Sequence, residues 1–436
     1  MALLAALSFC AGVALAATGY WFGDTPEAQL DRLGERYVRL ALALAQQHPE
    51  ELDSYWGPTD LKAAGAESDL ETLQREVAAL SADLAALSTS ATPAEPAGLD
   101  QRKRNLIEHA VQLQHILAAV AGNSGLSFAD EAAQLYDLPL PKLEDGRRRA
   151  ILDELDTLVA GRGNLAWRVA NFQRQFLVPA ESRRGVFERA LAECRQRTLA
   201  HLSLPAGEAL SLAWSRDVTS PWHTYQGDYH SVLQVNDLRI AFASQALDIA
   251  CHEGYPGHHT QFVLRDQAAD SAMDGAVENT LALLRTPQSA LREATANLGV
   301  DLLFTTDERL AFESQVLLPL AGVDSMQLDT HHRINRLLAE LAPYAIPVLA
   351  QYHDGTLSAA VAIRQLERQA LVSNPVELLE FVDHYGAYSA AYTTARAPLL
   401  QRLSLGAGAN KTDWRALTAL FQQGSLAPVP ALTGGP

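Results

Sequence analysis

The 436-residue sequence predicts a mainly α protein with a small β-sheet. Three observations lead there. Apolar residues recur at spacings of three and four over most of the chain, the period of amphipathic helices. Residues 204–236 break that pattern, interleaving Trp214, Trp222, Tyr225 and Tyr229 with turn residues. Within them Val232-Leu233-Gln234-Val235 is the best strand candidate, being short, apolar and β-branched.

The first helix carries Leu30, Leu33, Tyr37, Leu40 and Leu44 on one face. Thr25 is its expected N-cap, with Pro26 at the first helical position and Glu27 in the first turn. His48-Pro49 ends it, because the residue before proline is driven out of helical geometry. A second helix is expected over 70–87, followed by a polar, proline-containing linker over 88–98. Helices follow near 101–122, 147–178 and 181–201, and from Leu238 onward helix returns almost to the end. Residues 424–436 read as a frayed tail. The parts expected are a leader (1–22), a helical N-terminal part (23–203), a polar, motif-bearing part (204–423) and the tail. There is no fixed-period repeat, no GxGxxG, no P-loop and no GxSxG.

Composition excludes several functions. There are 34 Lys and Arg against 51 Asp and Glu, a formal charge of −17. Phosphate-binding surfaces need concentrated cations. The run Arg147-Arg148-Arg149 is set among Glu144, Asp145, Asp153 and Glu154 and reads as a solvated helix face. Nucleic acid and anionic membrane surfaces are therefore not expected partners. Cys10, Cys194 and Cys251 allow at most one disulfide outside the leader and no cysteine-rich zinc ribbon. Cys251 itself reads as a small buried residue.

Residues 2–22 are uncharged. The stretch lacks the basic start of a signal peptide but has a small-x-small pattern at Ala14-Leu15-Ala16, and about 20 residues can span a bilayer. Export or N-terminal membrane anchoring is expected, with a buried first helix and a cytoplasmic protein as the alternative.

The segment from Cys251 to His259 (CHEGYPGHH) stands apart. It places three of the 13 histidines in eight residues beside Glu253. In H-E-x-x-H the two histidines share a helix face and bind zinc, with the glutamate as general base. Here the spacing differs. On an ideal helix His258 lies about 240° around from His252, the wrong face, and His259 about 10.5 Å further along the axis. Pro256 loses its N–H bond and clashes with the carbonyl of His252. Gly254 and Gly257 supply permissive backbone. A two-residue bulge would restore the phase and let His258 act as the second ligand. His259 stays open between substrate contact, an outer hydrogen-bond partner and an alternative ligand. A catalytic zinc needs a third protein ligand and an open position. The downstream acids are Asp266, Asp270, Asp274, Glu278 and Glu293. Glu293 sits on a helix that Thr286 can cap and Pro287 can start.

The segment resembles the HExxPGHH signature of a widespread bacterial family of largely uncharacterised proteins regarded as zinc metallopeptidases of the gluzincin group. Three further stretches are similar to that family: Asp53-Ser54-Tyr55-Trp56-Gly57-Pro58, residues 225–236 (YQGDYHSVLQVN), and Glu293-Ala294-Thr295-Ala296, where glycine is usual at 294. The resemblance spans most of residues 50–400, but only the signature is highly specific. It implies a gluzincin-like architecture and one Zn2+ held by His252, His258 and Glu293. It favours Glu293 over Glu278, although Glu278, 20 residues after His258, has a spacing some gluzincins use. Glu253 would be the general base for a zinc-activated water. Tyr385 and Tyr392, seven apart on one helix face, are the expected oxyanion stabilisers, as family-like tyrosines.

Arg396 is a candidate substrate contact. His332, in the cluster His331-His332-Arg333, could serve substrate or an outer shell, or simply start a solvated helix. In gluzincins an edge strand beside the metal pairs with the substrate backbone. The strand at 232–236 would play that part, with Tyr229 and Asn236 at the polar ends of a peptide. The expected function is a zinc metallopeptidase acting on peptides. The alternatives are a metal-dependent hydrolase of non-peptide amides or esters, and a non-catalytic envelope module retaining a metal site.

Overall fold

The computed structural model describes residues 25–62, 68–88, 98–122, 125–271, 276–394, 399 and 412–423. The leader, residues 89–97 of the linker, the tail from 424 and Arg396 lie outside them. Helices dominate, and the strands form one three-stranded and one two-stranded sheet, in agreement with the expected class.

The N-terminal helix α1 (Pro26–Gln47) starts as expected. Thr25 Oγ1 accepts the Ala28 N–H at 3.2 Å, and Pro26 opens the first turn. Its buried face, with Leu30, Tyr37, Leu40 and Leu44, packs on α2 (Leu70–Ala86) and α3 (Leu99–Val120). Each fully buried leucine contributes about 1.5–3 kcal/mol. Strand β1 (Leu52–Tyr55) leaves this bundle and pairs antiparallel with β5 (Leu281–Leu283), so a strand from the motif-bearing part seats against the N-terminal helices.

Helix α4 (Phe128–Tyr136) follows. The single helix expected over 147–178 is two, α5 (Asp145–Leu158) and α6 (Leu165–Gln173). Gly161 and Gly163 stand between them at positive φ, where residues with a Cβ are disfavoured, and Asn164 caps α6 through the Trp167 N–H. Helix α7 (Arg183–Leu199) leads into the sheet.

Strands β2 (Ala209–Trp214), β3 (Trp222–Gly227) and β4 (His230–Val235) are ordered β2-β4-β3, with β4 parallel to β2 and antiparallel to β3. The predicted strand is therefore central, and the expectation that it offers an edge to substrate is corrected: both of its sides are paired. Strands β2 and β3 are the edges, and β3 is the one whose Trp222 and His223 line the cavity described below. Behind the sheet lie α8 (Ala243–Glu253) and α9 (His258–Ser271), then α10 (Pro287–Ala296), α11 (Leu328–Leu341), α12 (Ile346–His353), α13 (Pro375–Tyr385) and α14 (Trp414–Gln423).

Candidate metal centre

Two helices and a turn bring His252 and His258 together. Helix α8 ends at Glu253 and α9 begins at His258, so the expected bulge within one helix is instead a break between two. Pro256, whose peptide bond with Tyr255 is cis, cannot donate to the helical ladder. The phase argument nevertheless holds. The Gly257 N–H bonds to Cys251 O at 3.0 Å and the Thr260 N–H to Gly254 O at 3.3 Å. Each spans six residues rather than the helical four, which accommodates two extra residues. Gly257 is obligatory here, since a Cβ would lie 1.7 Å from the His252 carbonyl oxygen.

The result is a tight cluster. His252 Nε2 and His258 Nε2 are 3.2 Å apart. Glu293, carried by α10 behind the Thr286 cap and Pro287, reaches both, with Oε1 3.2 Å from His258 Nε2 and Oε2 3.6 Å from His252 Nε2. Glu253 is close as well, its Oε1 4.0 Å from His252 Nε2, and its carboxylate and the two imidazoles offer donor atoms within 4.8 Å of one another. Two carboxylates thus adjoin the pair. Glu293 is the better placed to serve as a third ligand, because it addresses both Nε2 atoms and its Oε2 is buried without a hydrogen bond. A cation of the His, His, carboxylate preference would satisfy that atom, so the donor set fits zinc.

The surroundings orient these groups. The Gln261 amide oxygen lies 3.3 Å from His258 Nδ1, so Nδ1–H donates and Nε2 is the nitrogen that faces the cluster. Gln261 is itself held by Thr295 Oγ1 at 2.8 Å. In the metal-free chain, burial opposes ionisation of Glu293, but the charge and hydrogen bond of His258 and the nearby His252 hold it down to about 2. Burial pushes Glu253 up to about 7, with Glu293 and Asp53 adding to the shift against His258. Burial lowers His252 to about 4. For His258, burial is overcome by Glu293, which raises it to about 9.

The cluster opens into a cavity of about 920 Å3, large enough for several residues of an extended peptide. Its wall includes Tyr385 and Tyr392, the expected oxyanion donors. They do not share one helix: α13 stops at Tyr385, a 3-10 turn spans Gly386–Ala390, and Tyr392 lies on the short helix Ala391–Thr394. Tyr388 between them also lines the cavity, hydrogen-bonded to Ser289 at 3.1 Å.

The other expected site residues divide. His332 lines the cavity, its Nε2 held 2.9 Å from Glu313. Tyr229 sits at positive φ in the β3–β4 turn and is not part of the cavity wall. Asn236 is structural: its amide donates to Val218 O and its oxygen caps the Leu238 N–H. His259 is sealed behind the wall, bonded to Ser231 and Glu208. Glu278 is elsewhere, in a buried ion pair with Arg102, Oε1 to Nε 2.8 Å. Cys251 is buried as expected but not free, since it forms a disulfide with Cys194 that ties α8 to α7. Sequence reasoning missed His223 and Trp222, which open β3 and line the cavity. It also missed Arg292, paired with Asp53 at 2.7 Å, which joins α10 to β1. The aromatic-rich segment was the available signal for the first two.

No family model and no curated protein matches the chain. Among solved structures it is similar to a proposed lipoprotein from Colwellia psychrerythraea, at 16% identity and a TM-score of 0.45, covering 82% of this chain and 68% of that one. It is also similar to a protein named BsuCP, at 11% identity and a TM-score of 0.37, covering 93% and 90%.

Proposed function

We propose that the chain is a zinc-dependent peptidase that hydrolyses short peptides within its cavity. The observation that carries this is the approach of Glu293 to within 3.2 and 3.6 Å of the two Nε2 atoms, beside a fourth buried group, Glu253, that a structural zinc would not need. His252, His258 and Glu293 would hold the ion, which when bound supplies Lewis-acid polarisation and lowers the pKa of water.

The protein's own groups do the remainder. Glu253 takes the proton of the attacking water and returns it to the leaving amine. Burial makes this carboxyl a stronger base than a solvated one. The hydroxyls of Tyr385 and Tyr392 donate to the developing oxyanion from the cavity wall. Export is part of the same proposal. It is supported by the Cys194–Cys251 disulfide, a bond typical of oxidising compartments. No helix among the described residues is long and apolar enough to cross a membrane.

The test is elemental analysis of the purified chain together with a peptide library. About one zinc per chain, lost in His252→Ala, is expected. A chain that binds no stoichiometric metal contradicts the proposal. One that cleaves acyl esters or non-peptide amides but no peptide replaces it with the broader hydrolase reading.

A further inference from the structure

Behind the cluster lies a buried polar chain that the proposed chemistry leaves unused. Glu208, just ahead of β2, accepts at Oε1 from Arg195 Nε at 3.0 Å. Its Oε2 accepts from the Tyr255 hydroxyl at 2.8 Å and lies 2.9 Å from His259 Nε2. His259 Nδ1 is 2.8 Å from Ser231 Oγ, which is 2.9 Å from His223 Nε2. Ser231, His259 and His223 are buried, and the Glu208 side chain is 4% exposed. His223 lines the cavity, and its ring centroid is 6.0 Å from that of His258. The chain therefore runs without a gap from half-exposed Arg195 to the wall beside a candidate metal ligand.

Donor directions along it follow from charge and proton counting. Arg195 already balances Glu208, so a cationic His259 would be an extra buried charge, which is costly. Glu208 can only accept, so the neutral His259 carries its hydrogen on Nε2 and accepts at Nδ1. The single Ser231 proton must point to that Nδ1. Toward His223 the hydroxyl can then only accept, so His223 carries its hydrogen on Nε2. Its Nδ1 is left as a bare acceptor, and it makes no hydrogen bond to any described residue.

We propose that His223 is a substrate-binding residue whose Nδ1 accepts a hydrogen bond from a substrate N–H, held in that tautomer by Ser231, His259 and Glu208 as positioning residues. This rests on the hydrolase reading of the cavity and narrows it. The acceptor favours peptide amides, which bring an N–H, over matched esters, which bring only an oxygen in that place.

The test has two arms. In the first, 15N-histidine NMR of the metal-free protein reads the tautomer, with the His223 signals identified by their loss in His223→Phe. The Nε2–H tautomer is expected in the wild type, giving way to a mixture in Ser231→Ala. An Nδ1–H tautomer or an imidazolium at His223 overturns the inference without touching the hydrolase reading. In the second, the zinc-loaded protein is given an amide and an ester with the same acyl part. The amide-to-ester ratio of kcat/KM should fall about threefold to tenfold in His223→Phe and in Ser231→Ala, the worth of one neutral hydrogen bond. An unchanged ratio, or equal losses on both substrates, overturns the assignment of His223. A wild type that hydrolyses neither substrate overturns the hydrolase reading and the substrate assignment with it, whatever the tautomer.

Discussion

Replacing Gly257 by alanine should separate the two histidines. An added Cβ would stand 1.7 Å from the His252 oxygen, 2.4 Å from its carbonyl carbon and 2.5 Å from the Cys251 oxygen. All three are backbone atoms, so no side chain can swing away. Ordinary contact begins at 3.4 Å, so the turn must open by about 3.4 − 1.7 = 1.7 Å. The ligand atoms it aligns are 3.2 Å apart, and metal sites tolerate only about 0.2 Å of error in ligand distance. The strain should cost about 1–3 kcal/mol, as overpacking does. Zinc affinity should fall by about tenfold to a hundredfold or more, as when ligand support is lost. Chelator competition and denaturant unfolding read the two effects. Gly185→Ala is the control: it lies in α7 with nothing within 4 Å of an added Cβ, and it should stabilise by about 0.4–1 kcal/mol. A Gly257→Ala protein with wild-type zinc affinity and stability would refute the reasoning.

Three other outcomes are expected. Arg102→Ala should destabilise by about 3–5 kcal/mol, because it strands the buried Glu278 carboxylate, yet leave zinc stoichiometry unchanged; loss of zinc would place Glu278 in the metal site after all. Cys194→Ala should cost about 2–4 kcal/mol in non-reducing denaturant curves, since the bond closes a separation of 57 residues; equal curves for variant and wild type would show that the bond does not form. His353 is raised to about 9, chiefly by its hydrogen bond to Glu131, with burial opposing. Its contribution is fully present below the unfolded value near 6.5 and is lost as pH rises through about 9. His353→Gln should therefore lower stability by about 1–2 kcal/mol at pH 6, after allowance for solvent screening, and by progressively less above pH 9. A difference independent of pH would contradict this.

Local signals in the sequence were legible because their physics is local. Thr25-Pro26 starts α1 and Thr286-Pro287 starts α10 as read, since capping depends on a few adjacent residues. The His252–His258 phase was also legible, because proline and glycine constrain backbone directly. What sequence could not show was pairing at a distance. The order β2-β4-β3 puts the best strand in the middle, because β4 pairs on one side with its hairpin neighbour β3 and on the other, in parallel, with the more distant β2. Glu278 and Glu293 look alike as helical acids, and Arg102, 176 residues before Glu278, separates their roles. Cys194 and Cys251 meet only once α7 and α8 pack together. His223 carries no motif, and its place beside His258 comes from the register of β3 on β4.

The most direct measurement is peptide-cleavage mass spectrometry on wild type and Glu253→Gln, with zinc determined in the same samples. The account predicts about one zinc in each protein, cleavage by the wild type, and turnover lowered by about a hundredfold to ten-thousandfold in the variant, the worth of a general base. Undiminished cleavage by Glu253→Gln, or cleavage by a wild type free of metal, would contradict it.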